Sequence, residues 1–187
     1  MKVENRTFIV SGGYVLASRI FETGSDLVDR SSGLGAATVQ DLLAQNAYVS
    51  ILDRSPPPEE LKSSSRVRYF AVDIREVDQI NRAVEGTVEW TKETSAPLGG
   101  VVNCAGVAVA AKIIDSHNEP HSLDLWDFAI AVNLTGTFNL TRLALKHLVK
   151  VAPEEGPDGE RGVIIFVASA AAVRTLFFMS ASLRNSV

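Results

Sequence analysis

Apolar residues fall along this chain in two rhythms. Short runs of β-favouring residues, bounded by glycine, proline or charged turns, alternate with longer stretches in which apolar positions recur every three or four residues. That alternation predicts a parallel sheet built from βαβ units, because buried parallel strands read as continuous apolar runs and crossover helices carry the 3.6-residue period. TFIVSG predicts the first strand, and LGAATVQDLLAQN a helix that turns Ala37, Leu42 and Leu43 towards the sheet. AYVSILDR predicts the second strand, with SPPPEELKSSS a connection holding at most one helical turn. VRYFAVDI predicts the third strand, followed by a helix over EVDQINRAVEGTVEWTKET around Ile80, Val84 and Val88. GGVVNCAG predicts the fourth strand and its exit, and SLDLWDFAIAVNLTGTFNLTRLALKHLVK one long helix with Asn133 near its middle. After the polar turn cluster EEGPDGERG, VIIFVAS predicts the fifth strand. The final AAAVRTLFFMSASLRNSV carries neither period.

Right-handed crossovers convert this order of elements into an α/β, Rossmann-like doubly wound parallel sheet of five strands, ordered 3-2-1-4-5, with the fifth strand at an exposed edge. A chain of 187 residues with 46% hydrophobic content can bury the core of one sizeable domain. A net charge of -4 and a pI near 5.4 argue against nucleic acid as a main partner. No apolar run approaches the length of a membrane span. The opening MKVENRTFIV lacks the apolar stretch of a secretory signal. A lone cysteine, Cys104, excludes an internal disulfide framework and fits a reducing, intracellular compartment. His117, His121 and His147 share no metal-ligand spacing with it, so no metal site is expected.

Candidate chemistry concentrates at the exit of the first strand. Gly12 closes that strand, and Gly33 and Gly35 open the following helix. A glycine turn of this kind lets backbone amides and a helix N-terminus approach a pyrophosphate, although glycines at a strand–helix turn can be merely structural. Asp53 follows Gly33 by 20 residues, at the end of the second strand. A carboxylate there accepts hydrogen bonds from the ribose hydroxyls and repels a 2′-phosphate, which favours NAD over NADP. Neighbouring Arg54 pulls the other way, and a plain loop or cap carboxylate is the alternative for Asp53.

Taken together, the interrupted SGG…SSGLG, LDR, VDI, NCAG, VNLTGTFNL and GVIIFVAS resemble the short-chain dehydrogenase/reductase family across roughly residues 5 to 172. Within that family, VVNCAGVAVAAKI, VNLTGTFNLTRLA and the polar loop before RGVII look most like the type 2 3-hydroxyacyl-CoA dehydrogenases. The resemblance implies a small-molecule substrate (a secondary alcohol or ketone such as a 3-hydroxyacyl-CoA or a hydroxysteroid), a homo-oligomeric intact enzyme and a mitochondrial or cytoplasmic location. It implies that Ser32 and Leu34 line the pyrophosphate turn, that Asp53 holds the ribose, and that Asp73 and Ile74 flank the adenine. Asn103, Cys104, Ala105 and Gly106 would pass under the nicotinamide ribose, with Cys104 a small apolar residue rather than a reactive one.

The same resemblance assigns Ser169 as the serine that hydrogen-bonds the substrate oxygen and Asn133 as the asparagine of a proton relay. Family members also carry a Tyr-x-x-x-Lys pair roughly a dozen residues beyond that serine, the lysine lowering the tyrosine pKa from its ordinary value of about 10 towards working pH. Nothing of that form occurs in these 187 residues: the tyrosines are Tyr14, Tyr48 and Tyr69, and the last lysine is Lys150. On the family pattern, residues 1–172 would form an incomplete NAD-binding domain and residues 173–187 a non-family tail, with the C-terminal part of the family fold missing. Catalytic silence, as a nucleotide-binding or subunit-pairing module, is the alternative to an active dehydrogenase.

Removing Tyr14 to Arg30 leaves FIVSGGSSGLGAATVQDLL, a continuous strand, turn and helix. Residues 14–30 are therefore expected to be an insertion of 17 residues in the glycine turn. Because codons for Gly13-Tyr14-Val15 and Val173-Arg174-Thr175 can hold splice-donor sequences, both departures are expected to be translated introns, with a natural loop insertion and a divergent tail as the alternative. Genomic codons that cannot hold such sequences at those points would sink that origin. An insert over the pyrophosphate position would weaken nucleotide binding, so deletion of residues 14–30 is expected to tighten NAD affinity in a titration; unchanged affinity would refute the blockage.

Overall fold

The structure, a computed structural model, describes residues 2–12, 33–109, 112–156 and 158–169. The 14–30 insertion, Ser32 and the 173–187 tail lie outside the described residues. In chain order the elements are β1 (Thr7–Ser11), α1 (Leu34–Ala44), β2 (Tyr48–Asp53), α2 (Glu59–Lys62), β3 (Val67–Ala71), α3 (Val77–Thr94) and β4 (Leu98–Asn103), then α4 (Leu123–Ile130), a π-turn (Ala131–Gly136), α5 (Thr137–Leu148) and β5 (Val163–Phe166). The five strands form one parallel sheet in the order β3-β2-β1-β4-β5. This is the Rossmann-like arrangement that the alternation of apolar runs implies.

The apolar runs are continuous because both sheet faces are covered, and alternate side chains of one strand serve different cores. Phe8 and Val10 of β1 join Val49 and Ile51 beneath Ala36, Val39 and Leu42 of α1. Ile9, between them, faces the opposite way, into a cluster with Ile80 and Val84 of α3 and Leu140, Ala144 and Leu148 of α5. Wholly inaccessible side chains such as Ile9, Ile51 and Leu140 each contribute roughly 1.5–3 kcal/mol by leaving water. Buried hydroxyls are paired: Ser50 Oγ lies 2.6 Å from Thr87 Oγ1, which also donates to the Ala83 carbonyl. Arg6, buried at the start of β1, bonds Glu154 and the carbonyls of Leu98 and Arg161, tying the far edge of the sheet to the turn before β5.

Two helices depart from the sequence expectation. On α1 the buried face is Gly35, Ala36, Val39 and Leu42, while Ala37 is exposed and Leu43 only partly covered. The small residues Gly35 and Ala36 bring the helix close to the sheet and set its rotation, which a pattern weighted to large apolar residues does not register. The single long helix around Asn133 is a continuous helical path broken in character by the π-turn.

Five strands leave β5 at an edge, bonded to β4 alone among the described residues. Ile165, Phe166 and Val167 there are exposed, Phe166 to 59%.

The register brings the exits of β1 and β4 into contact. Gly12 has φ +70°, and a Cβ built on it would lie 2.5 Å from both Cα and N of Ala105. Gly12→Ala is expected to lower stability by at least about 2 kcal/mol, combining left-handed strain with backbone overpacking. The urea midpoint measures it, and an unchanged midpoint would refute the close approach.

Candidate functional site

All five strands run the same way, so their C-terminal ends share one edge, across which Phe70, Leu52, Ser11, Asn103 and Phe166 follow one another in register, with Asp53 one residue beyond Leu52. Chain connectivity reverses between β1 and β4, and in open α/β sheets ligands bind outside the strand ends at such a reversal. Ser11 stitches the two strands together there: its carbonyl accepts from Cys104 N at 3.1 Å, and its Oγ accepts from Ala105 N at 3.3 Å. With no side chain between Gly12 and Ala105, the chain presents bare backbone at this point.

Helix α1 begins at the same edge. Its N-cap is Gly33, with no side-chain cap and no acidic residue in the first turn, and a Cβ at Gly33 would meet nothing within 4 Å. Among the described residues no side chain caps these first amides, and the helix dipole favours an anion beside them. Leu34, beside them, is exposed. These features suit a pyrophosphate.

Asp53, 3% exposed, ends β2. Its Oδ1 accepts from Ser55 N at 2.9 Å, a turn-capping bond of the kind the plainer reading of this residue requires. The Asp53 carbonyl accepts from Tyr69 OH at 3.1 Å and from Val72 N at 2.9 Å, joining β2 to the exit of β3. Burial, and then the Asp53 charge, push the Tyr69 phenol above its usual range. Two residues past β3, the Asp73 carboxylate is gripped by Arg75. Oδ1 accepts from the Arg75 backbone N and Nε, both at 3.0 Å, and Oδ2 from Nη2 at 2.6 Å. The hydrogen bond from the Arg75 side chain is the main reason that the Asp73 carboxyl is held below the usual carboxylate range. The guanidinium also stands 5.4 Å from the centre of the Phe128 ring on α4.

Asn103 is buried at the end of β4. Its Nδ2 donates to the Ile165 carbonyl at 3.2 Å and to Thr141 Oγ1 at 3.3 Å, joining β4 to β5 and α5. Its Oδ1 is buried without a hydrogen-bond partner. Cys104 next to it is half-buried and bonded to Thr38; burial raises its thiol pKa, which keeps it protonated and unreactive. Asn133 lies in the π-turn and faces the exit of β4, where its Oδ1 accepts from Val107 N at 2.8 Å and its Nδ2 donates to the Val107 carbonyl at 3.0 Å. A Cβ on Gly106 would come within 3.4 Å of the same Oδ1. At the other end of the π-turn, a Cβ on Gly136 would lie 2.7 Å from the Ile74 carbonyl, so this stretch fits between the exits of β3 and β4.

Ser169 is exposed, three residues beyond β5, and Val167 N extends the pairing to the Asn103 carbonyl at 3.1 Å. The edge thus gathers Gly12, Gly33, Leu34, Gly35, Asp53, Asp73, Ile74, Asn103, Cys104, Ala105, Gly106, Asn133 and Ser169 at its strand exits and the adjoining helix turns. Phe128, Val107 and Thr141, which hold several of them or their neighbours, carry no signal of their own in the sequence because their partners are remote along the chain, whereas Arg75 stands only two residues from Asp73. Cavities of about 240 and 230 Å³ lie at the opposite edge, beside the N-terminal ends of β5 and β4, away from these residues. No group of three or more potential metal ligands occurs among the described residues, and no helix there is long and apolar enough to cross a membrane.

A doubly wound sheet with a glycine-lined strand reversal and an acidic residue ending β2 defines a dinucleotide-binding class of α/β protein. Residues 27–181 match the short chain dehydrogenase family, and the chain belongs to that family. The 3-hydroxyacyl-CoA dehydrogenase type-2 of Bos taurus is 34% identical over 143 residues, which cover 76% of this chain and 54% of that protein. Ipsdienol dehydrogenase of Ips pini is 28% identical over 90% of this chain and 58% of its own length. Among solved structures, 3-hydroxyacyl-CoA dehydrogenase type-2 from Mycobacterium avium superposes with a TM-score of 0.70 at 26% identity, covering 92% of this chain and 61% of that one. A short chain dehydrogenase from Leptospira borgpetersenii with bound NAD+ shares the fold at 20% identity and a TM-score of 0.60, over 86% of this chain and 50% of that one. The chain spans about half the length of the curated relatives it matches.

Proposed function

We propose that these residues build the nucleotide-binding half of an NAD-dependent oxidoreductase acting on a secondary alcohol or ketone, such as a 3-hydroxyacyl-CoA or a hydroxysteroid. The observation that carries this reading is the bare backbone contact between Gly12 and Ala105 at the strand reversal, with the uncapped start of α1 on one side and the Asp53 carboxylate on the next strand. A pyrophosphate fits the amides at Gly33, Leu34 and Gly35, where no side chain among the described residues intervenes. Asp53 suits the adenosine ribose and disfavours a 2′-phosphate, while Asp73 and Ile74, one strand further out, suit the adenine. Asn103, Cys104, Ala105 and Gly106 suit the nicotinamide ribose. Similarity to type-2 3-hydroxyacyl-CoA dehydrogenases supports the substrate class.

When bound, the nicotinamide supplies the hydride acceptor or donor. The chain's own task is to place the substrate oxygen and to manage its proton. Ser169 stands exposed at the β5 exit on the same edge and can donate a hydrogen bond to that oxygen. Asn133 acts through position: one amide N–H and one lone pair are spent on Val107, which fixes the π-turn against the β4 exit and leaves one of each to hold a water. The tuned proton donor is the missing part. No Tyr-x-x-x-Lys occurs in the 187 residues, and loss of a positioned acid/base typically slows such a reaction by about 10²–10⁴-fold.

Binding without turnover follows for the 187-residue chain, which favours the reading of a catalytically silent nucleotide-binding module. Isothermal titration is expected to show NAD bound at least about tenfold more tightly than NADP, a difference of roughly 1.4 kcal/mol. An assay with a 3-hydroxyacyl-CoA and NAD is expected to give no measurable NADH. NADP bound as tightly as NAD would overturn the cofactor assignment, and robust NADH formation would overturn catalytic silence.

A further inference from the structure

The two side edges of the sheet differ in chemistry. At one, β3 carries Arg68, paired with Glu93 at 3.4 Å, and follows directly on Arg66. Charged side chains of this kind keep an edge strand from pairing with another chain. At the other, the stretch from Val163 to Ser169 holds no charged residue and no proline. Val163 and Ile164 at its start reach the two cores. Beyond them, α5 packs over β4, and Ile165, Phe166 and Val167 stand exposed.

The backbone of β5 is equally open on its outer side. Val167 N bonds the Asn103 carbonyl, and in a parallel ladder every second residue turns its polar groups to the same neighbour. Val163, Ile165 and Val167 therefore face β4. Ile164, Phe166 and Ala168 turn their N–H and C=O groups outward, where β5 has no strand partner among the described residues.

We propose that β5 is a dimerisation edge, which pairs antiparallel with the β5 of a second copy of this chain about a two-fold axis at Phe166 and joins the two sheets into one. With the axis there, Phe166 lies opposite the partner's Phe166 and Ile164 opposite the partner's Ala168, so each outward N–H and C=O meets its complement. One face of the new ribbon then sets the two Phe166 rings side by side. The other sets Ile165 against the partner's Val167. Aromatic and apolar cross-strand pairs of this kind stabilise a sheet, whereas like charges set opposite one another destabilise it. That rule selects a second copy as the occupant: β5 opposes no charge to itself, while β3 paired with itself would bring arginines together. The two-fold pairing also closes, because it consumes both β5 edges and leaves only the charged β3 edges at the ends of the joined sheet. None of this depends on what the strand exits bind.

Sedimentation equilibrium of the 187-residue chain tests the proposal, with Phe166→Lys and Phe138→Lys as variants; Phe138 is an exposed residue of α5. So short an interface belongs to the weak class, and the wild type is expected to be dimeric at about 100 µM and to dissociate on dilution. Phe166→Lys is expected to raise the dissociation constant at least about tenfold by opposing two ammonium groups, with its melting still cooperative because Phe166 packs in neither core. Phe138→Lys is expected to leave the dimer unchanged. Residues opposed in this register have Cα atoms about 5.5 Å apart, within reach of a disulfide. Phe166→Cys is therefore expected to cross-link into dimers on diamide oxidation, while the wild type, with Cys104 alone, does not. A monomeric wild type at about 100 µM would overturn the proposal. So would a Phe166→Cys chain that stays uncrosslinked, or dimers or larger species that survive Phe166→Lys. Dissociation by Phe138→Lys but not by Phe166→Lys would assign the contact to α5 and overturn the β5 edge.

Discussion

Contact between the backbones of Gly12 and Ala105 is the constraint on which the site depends. It requires a left-handed glycine at the end of β1, a small residue after Cys104, and a register in which Ser11 faces Asn103. Once these hold, the Ser11 carbonyl and hydroxyl are committed to the amides of residues 104 and 105, which ties the exits of β1 and β4 together. A side chain at Gly12 would meet the Ala105 backbone and wedge the strand ends apart. The reversal of connectivity between β1 and β4 supplies a crevice, and this contact keeps its floor free of side chains.

The helical path from α4 to α5 braces that crevice from one side. Three contacts reach from it to the loops: Phe128 to Arg75, Gly136 to Ile74, and Asn133 to Val107. The first two steady the exit of β3 and the third the exit of β4. Asn103 adds a fourth tie from the sheet outward, through Thr141 on α5 and the carbonyl of Ile165 on β5. The Asn103 Oδ1 is buried without a hydrogen-bond partner, in a setting where an unpaired acceptor costs about 1–3 kcal/mol.

Much of this was legible in the sequence because buried parallel strands advertise themselves. β1, β2 and β4 are covered on both faces and appear as unbroken apolar runs, and the crossover rule then leaves little choice in strand order. Strand ends were less legible: Val72 and Cys104 still bond the Asp53 and Ser11 carbonyls of the neighbouring strands, and Val72 and Ile74 still fill the core, so the apolar runs continue past the ends of β3 and β4. The rotation of α1 was misjudged at Ala37, which is exposed, whereas Leu42 is buried and Leu43 packs partly against the same core. Asp53, Asp73, Asn103 and Asn133 could be picked out by spacing and resemblance. Their partners could not, since Arg75 meets Phe128 and Asn133 meets Val107 through contacts that local pattern does not encode. The Asp53 carboxylate caps Ser55, the plainer of the two readings that its position at the end of β2 allows.

The π-turn has a consequence for how this fold can change over time. An α-helix advances about 100° per residue, and the turn at Ala131–Gly136 absorbs one extra residue between two ordinary helical stretches. Losing a residue there would restore regular winding but rotate everything downstream, carrying Leu140, Ala144 and Leu148 out of phase with the core they now fill. Keeping the residue maintains both that phase and the grip of Asn133 on Val107. The irregularity therefore works as a ratchet: once the sheet contacts of α5 were built around the additional residue, a single deletion could no longer be neutral, and the kink persists because the helix beyond it is already committed.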